Sequence, residues 1–425
     1  MSVTAAAGFD AAGVAAGIKR TGALDLALVV NRGPLTHAAA VFTSNRSQAN
    51  PILWSKQIIA DGRVDAIVLN SGGANCFTGS EGFQVTHRTA EAAATALGIS
   101  AGDVLVCSTG LIGEQLNPEV LEEGVLSAVD RLAATVDAGL SAARAIMTTD
   151  SAPKTVIVEG GGAHESGGER KGKGERDEGK RVSRDAGAAA TSSTFTRDQT
   201  TGWRIGGMAK GAGMLAPGLA TMLVVLTTDA VVSASDLDAA LRAATRVSFD
   251  RLDSDGCMST NDQVTLLASG ASGIAPAAAD FTAALTSACR DLAQQLQTDA
   301  EGASHDITIE VRGAATEDDA VEVGRAVARN NLFKAAIFGN DPNWGRVLAA
   351  IGTTRAPFDP YLVDVSMNGV RLCHAGAPDA PREAVDLTPR ATHLLIELHA
   401  GEASAMIWTN DLTHDYVHEN SAYAS

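Results

Sequence analysis

Long apolar runs are missing from this chain: no stretch of 18 apolar residues occurs, which excludes a helical membrane span. Aromatic residues make up only 4%, so a large core has to pack closely with small side chains, and Ala and Gly are abundant. Positive charge is in deficit. With 33 Lys and Arg against 50 Asp and Glu, the net charge of −17 leaves no basic face for a nucleic acid. The start, Met1-Ser2-Val3-Thr4-Ala5, has no basic region ahead of an apolar core and does not read as a signal peptide. Cysteines are few and scattered (Cys76, Cys107, Cys257, Cys289, Cys373), odd in number and without a C-x-x-C pair. That argues against a disulfide frame or a zinc site, and for reduced thiols in a cytoplasmic protein. No cluster of metal-ligand residues stands out.

What is present begins with size. At 425 residues and 45% apolar content, the chain is too long for one ordinary core, and two or more domains are expected. One stretch has two halves of opposite character: Lys210-Gly211-Ala212-Gly213-Met214-Leu215-Ala216-Pro217-Gly218-Leu219-Ala220-Thr221-Met222-Leu223. Its first half is rich in small residues, which permits tight turns and close backbone approach. From Thr221 to Thr227 it is a continuous apolar run, the pattern of a buried strand. Thr221 stands at the junction after Ala220, a placement suited to attack on its own preceding carbonyl. Cleavage there frees an α-amino group beside the hydroxyl, and such a group titrates near ~7.7–8.0, within reach of base catalysis at neutral pH. The same residues also describe an ordinary Gly-rich loop feeding a core strand, with Thr221 as β-branched filler.

Elsewhere, Leu26–Val30, Ala38–Phe42, Ala66–Leu69 and Val104–Val106 read as strands, and about 82–97, 118–134 and 138–147 as helices. The turn Cys107-Ser108-Thr109-Gly110 can present a hydroxyl and a backbone N–H side by side, the donors an oxyanion needs, or can be a plain strand-to-loop turn. Thr148, Thr149 and Asp150 before Pro153 fit turn capping or a polar pocket. Residues 159–190 are dominated by Gly and charge, too polar to offset their ordering entropy, and read as a disordered insert between strands 155–158 and 202–205. Ser235 is the expected N-cap of a helix carrying Leu237, Ala240, Leu241 and Ala244. The oxygen-rich stretch Asp253 to Asp262 lacks the spacing of a calcium loop. A helix is expected over about 277–297, an alternating strand over Asp306–Val311, another helix over Glu317–Asn330, and a turn-rich segment over Lys334–Arg346 that opens a further helix. Asn368-Gly369 signals a hairpin, and Ala400-Gly401-Glu402 a second one between 393–399 and 403–409. The mixture points to an α+β fold with mixed and antiparallel sheets layered with helices.

Together these segments resemble the ornithine acetyltransferase (glutamate N-acetyltransferase) family of arginine biosynthesis. The matching motifs are Lys210-Gly211-x-Gly213-Met214 through Pro217 to Ala220-Thr221-Met222-Leu223, Asn70-Ser71-Gly72-x-Ala74-Asn75, Ser108-Thr109-Gly110 and Met147-Thr148-Thr149-Asp150. Further matches are Ser259-Thr260-Asn261-Asp262, Glu301-Gly302-Ala303, Asp341-Pro342-Asn343-Trp344-Gly345-Arg346 and the tail from Asn420 to Ser425. The resemblance implies a self-cleaving architecture with an N-terminal threonine. The cut falls between Ala220 and Thr221, giving an α chain (1–220) and a β chain (221–425) with a C-terminal subdomain from about 300, joined as α2β2. It implies acetyl transfer from N-acetylornithine to glutamate through an acetyl-threonine ester, without metal or cofactor; some members also accept acetyl-CoA. By the same resemblance Thr221 is the nucleophile, and Thr109 and Gly110 form the oxyanion hole. Thr148 or Thr149, Lys210, Glu301, Asn420 and Ser425 contact substrate. A self-activating amidohydrolase or aminopeptidase would keep Thr221 but give the ester to water. Three departures stand out: the insert at 159–190 is longer than usual for the family, Cys257 stands where an acid is common, and Ala424 replaces a hydroxyl residue.

Overall fold

The computed structural model describes residues 2–161, 202–216 and 222–422. The first part runs β1 (Phe9–Val14), β2 (Leu26–Asn31), β3 (His37–Phe42), α1 (Asn50–Ile58), β4 (Ala66–Ser71), α2 (Gly79–Leu97), β5 (Val104–Thr109), α3 (Pro118–Val129), α4 (Val136–Ala145) and β6 (Lys154–Gly161). Next come β7 (Gly202–Lys210), β8 (Leu223–Thr228), α5 (Ala234–Arg246), β9 (Gln263–Ala268) and α6 (Ala278–Thr298). The last part holds β10 (Asp306–Ala314), α7 (Glu317–Ala328), α8 (Asn331–Phe338), α9 (Trp344–Ile351), β11 (Asp364–Met367), β12 (Val370–His374), β13 (Ala377–Pro378), β14 (Ala391–Glu397), β15 (Ala403–Asn410) and α10 (His414–Ala422).

These strands form three sheets, ordered β1-β2-β4-β5, β3-β9-β8-β7-β6 and β13-β12-β11-β14-β10-β15. Each contains one parallel pair (β4–β5, β8–β9 and β10–β14) among antiparallel ones, as the α+β expectation requires. The first two sheets stack face to face. From β8, Leu223 and Val225 point toward the first sheet and α4, where they meet Val29, Leu69, Leu105 and Ala142. Val224 and Leu226 point the other way, into a core with Leu237 and Leu241 of α5 and Leu285 and Leu292 of α6. The unbroken apolar run of this strand therefore has a cause: both faces are covered. The outer face of the first sheet (Val14, Leu28, Val68, Val106) is covered by α1, α2 and α3 through Trp54, Val85, Ala90, Leu121 and Val125. The result is a helix–sheet–sheet–helix sandwich. The third sheet buries Ile307, Ile309, Val311, Leu394 and Ile396 against α7, α8 and α9 in a core of its own.

The structure corrects several local expectations. The α5 N-cap is Ser233, not Ser235: Ser233 has extended backbone and accepts the Asp236 N–H at 3.2 Å, whereas Ser235 already lies in the first helical turn. The hairpin expected at Ala400-Gly401-Glu402 does not form. Instead β10 lies between β14 and β15, parallel to one and antiparallel to the other, and the link bonds to the end of β10 through Leu398 N and Ala400 N. A local turn signal cannot show a strand inserted from 80 residues upstream, whose buried alternation pairs on both edges. The Asn368-Gly369 hairpin does form, with both residues at positive φ (46° and 83°). Residues expected as turns from Lys334 to Phe338 are helical, because Asn330 caps α8 by accepting the Phe333 N–H. The polar tail is helical from His414 to Ala422. Of the insert at 159–190, residues 159–161 extend β6, and the rest lies outside the described residues. Among the described residues no helix is long and apolar enough to cross a membrane.

Candidate active site

The site forms where strand ends of both stacked sheets come together. β5 ends at Thr109, alongside the end of β4. The Gly72 and Gly73 N–H groups donate to the Thr109 carbonyl at 2.8 and 3.0 Å, folding the loop after β4 over the strand end. Gly110 follows at φ +131°, and a Cβ there would sit 2.5 Å from Gly73 N. Only glycine meets both the backbone angle and the close approach. Asn261 fastens this corner to the second sheet by donating to Ala74 O at 2.6 Å and Ser108 O at 2.8 Å.

Lys210, the last residue of β7, is a fully buried cation. Its Nζ donates to Thr148 Oγ1 at 2.7 Å and Thr109 Oγ1 at 3.3 Å, and lies 3.9 Å from Asp150 Oδ2. Burial pushes its pKa below the ordinary lysine value, and the Asp150 carboxylate opposes that push. Asp150 is the hub. It accepts the Gly211 N–H at 2.7 Å, the Thr148 N–H at 2.9 Å and Lys154 Nζ at 2.7 Å. Burial alone would raise its pKa, but the nearby Lys210 and Lys154 ammoniums and the Gly211 N–H win and hold it down at about 2. Lys154 also reaches Asp299, at the end of α6.

Glu301 follows two residues after Asp299. It accepts Thr149 Oγ1 at 2.7 Å on one oxygen and Asn420 Nδ2 at 3.0 Å on the other. Its own N–H is held by Ala212 O at 3.0 Å. A Cβ on Gly213 would fall 2.4 Å from the Glu301 carboxylate, so this glycine makes room for the acid. An ionised carboxylate has about four acceptor sites, so Glu301 retains capacity for a further cationic donor.

A cavity of about 160 Å³ is lined by Thr109, Gly110, Thr148, Thr149, Lys210, Gly213, Met214, Glu301 and Asn420. It thus gathers seven residues given site roles from the sequence, drawn from positions 109 to 420, with Gly213 and Met214 of the same central motif. Ala220, Thr221, Ala424 and Ser425 lie outside the described residues. Cys257 is exposed and does not line the cavity. The sequence reads Asp150 only as turn capping or pocket polarity and does not single out Lys154 or Asp299. Asp150 balances the charge on Lys210, while Lys154, a like charge, is itself paired with Asp150 and Asp299. The Asp150-x-x-x-Lys154 spacing was visible, but outside a helix it carries no contact information. Other features are less suggestive. A larger groove, about 860 Å³, runs along the outer face of α6 between Ala278 and Gln294 and is open to solvent. Asp364, Glu397 and His399 converge at one end of the third sheet, where His399 and His374 already pair with Asp364.

Stacked mixed sheets and a cleft in which hydroxyls, a buried ammonium and a carboxylate converge define an enzyme. A model of the ArgJ family matches residues 10–175 and 183–425. The arginine biosynthesis bifunctional protein ArgJ of Streptomyces coelicolor is 56% identical over 425 residues, covering all of both chains. The protein of the same name from Thermobifida fusca is 54% identical, again over the full length of both. Among solved structures, ornithine acetyltransferase of Mycobacterium tuberculosis complexed with ornithine shares 44% identity, covering 52% of this chain and 96% of that one, with a TM-score of 0.41. The chain belongs to the ArgJ family.

Proposed function

We propose that this enzyme moves the acetyl group of N2-acetyl-L-ornithine to L-glutamate through an ester on Thr221, after cutting its own chain between Ala220 and Thr221. The supporting observation is the cavity itself, in which oxyanion donors, a buried lysine and a carboxylate face one small space. In this reading Thr221 Oγ attacks the acetyl carbonyl, the C–N bond breaks, and ornithine leaves with a proton passed on by the Thr221 α-amino group. The glutamate amine then attacks the ester, acetylglutamate departs, and the threonine hydroxyl is restored. The Thr109 hydroxyl and Gly110 N–H stabilise the oxyanion of both steps. Lys210 holds the amino-acid carboxylate, while Glu301, braced by Thr149 and Asn420, takes the side-chain ammonium of ornithine. Ser425 completes the pocket, and acetyl-CoA is a second acetyl donor to test.

Self-cleavage leaves the two products interleaved. Of the second sheet, β3, β6 and β7 belong to residues 1–220, and β8 and β9 to residues 221–425. The β7–β8 ladder, Ile205↔Thr228 to Lys210↔Leu223, bridges the two pieces, as does the β3–β9 ladder. The strand pairing and the shared cores account for one α chain and one β chain staying together; association of two such pairs as α2β2 is part of the same reading. Five free cysteines, four of them buried, suit a cytoplasmic enzyme. The test has two parts. On a denaturing gel the parent protein should run as two chains and Thr221→Ala as one. With N-acetylornithine alone, ornithine should appear as a burst of about one per active site; continued release should require glutamate and match acetylglutamate formed, and sustained acetate release without glutamate overturns the transferase reading.

A further inference from the structure

Asp262 opens a different question, because the chemistry above does not use it. It is fully buried at the start of β9. Its Oδ1 accepts the Met222 N–H at 3.2 Å, while its Oδ2 is buried and has no hydrogen-bond partner of ordinary geometry among the described residues. The next residue, Gln263, donates its N–H to Met222 O at 3.2 Å, and Thr43 N, just past β3, donates to Asp262 O at 3.0 Å. Residue 222 is thus clamped at both its N–H and its C=O, and the clamp is anchored in β3 and β9. A peptide unit is planar, and the unit containing the Met222 N–H also contains the Cα of residue 221. Holding that N–H therefore limits where the preceding residue can lie. A strand start needs no buried carboxyl for this, since a backbone carbonyl would suffice; placing a costly one here calls for a role.

From this geometry we infer that Asp262 is the positioning residue for self-cleavage, fixing the peptide plane that leads into β8 so that the bond before Thr221 can react. The inference rests on the Thr221 reading above. Desolvation raises the pKa of Asp262 well above the usual carboxylate range, which Ser259, the Met222 N–H and Thr43 only partly offset. A neutral carboxyl accepts at one oxygen and donates from the other, and an asparagine amide can likewise accept at Oδ1 and donate from Nδ2, with one N–H more. Shape and hydrogen bonding, not charge, are what the position requires.

The experiment follows precursor splitting over time on denaturing gels, with folding checked by thermal melts. Asp262→Asn should split within about tenfold of the parent rate. Asp262→Leu, similar in size but unable to hold the N–H, should fold and split at least about 10²-fold more slowly, the scale of a misplaced reacting group. A folded Asp262→Leu that splits at the parent rate overturns the inference, as does Asp262→Asn splitting no faster than Asp262→Leu. If Asp262→Leu does not melt cooperatively, Asp262→Glu decides. It keeps the chemistry but displaces the acceptor by one methylene, so it should lag Asp262→Asn tenfold or more, and equal rates refute the role. Thr221→Ala is run in parallel. If it still splits, the nucleophile assignment fails, and that failure is separate from any outcome at Asp262.

Discussion

The second and third sheets of this enzyme solve opposite problems. β8 and β9 of the second sheet are buried along their whole length, between two cores, and polar groups at their ends are buried with them. β10 and β14 of the third sheet alternate buried and partly exposed residues, with Ile307, Ile309 and Val311 inside and Glu310 paired to Arg312 and His393 outside. One sheet is wrapped so that charges such as Lys210 and Asp150 can be held without water; the other leaves its charges at the surface, where each pair contributes little. The reactive centre belongs where a wrong charge is expensive, because that is also where a correct one is strong.

If this contrast holds, substitutions in the stacked sheets should strike activity or the charge network, and those in the third sheet should change stability alone. The largest effect is expected from Asp150→Ala, which strands Lys210 and Lys154 as buried cations. A loss of about 3–5 kcal/mol in denaturant melts is expected. The same carboxylate gives a pH signature. Its folded pKa of about 2 lies below the ordinary 3.8, so its stabilisation is present above about pH 4 and is lost as pH falls toward 2. Urea melts across that window should show the parent losing about 2 kcal/mol that Asp150→Ala no longer has to lose.

Thr109→Ala comes next. Removing one oxyanion donor should lower kcat by about 10²–10³-fold, a barrier increase of about 2.7–4 kcal/mol, with little change in KM for acetylornithine. A loss confined to KM would remove Thr109 from the oxyanion hole. Glu301→Gln should act on binding instead. Losing a charge-assisted contact of about 1.5–3 kcal/mol should raise KM for N-acetylornithine by about 10- to 150-fold, while the melting temperature hardly moves. The smallest effect sharpens the comparison from the other side. Ile309→Val, in the core of the third sheet, should cost about 0.5–1.5 kcal/mol of stability and leave kcat/KM per folded molecule unchanged. A change in activity there would mean that the two regions are coupled.

The strands of both sheets were legible for the same reason the sheets differ. A continuous apolar run at residues 222–226 and a clean alternation at 306–311 are direct prints of two-sided and one-sided burial. Caps and pairings were less legible: Ser233 and Ser235 carry the same side chain, and only the backbone angle separates them. The placement of β10 between β14 and β15 depends on which edges remain open after the chain has folded, and no turn between neighbours records it.

The sequence by itself determined the chemical inventory: hydroxyls at 109, 148 and 149, an ammonium at 210 and a carboxylate at 301, each in a motif with small residues beside it. Only the tertiary structure decided that these groups share one cavity, and that Asp150, bridging Lys210 and Lys154, keeps the charge there bearable. The physical reason is distance along the chain. Periodicity and turn chemistry act over a few residues, while a contact such as Asn420 to Glu301 exists only because closing the cores brings α10 to the end of α6.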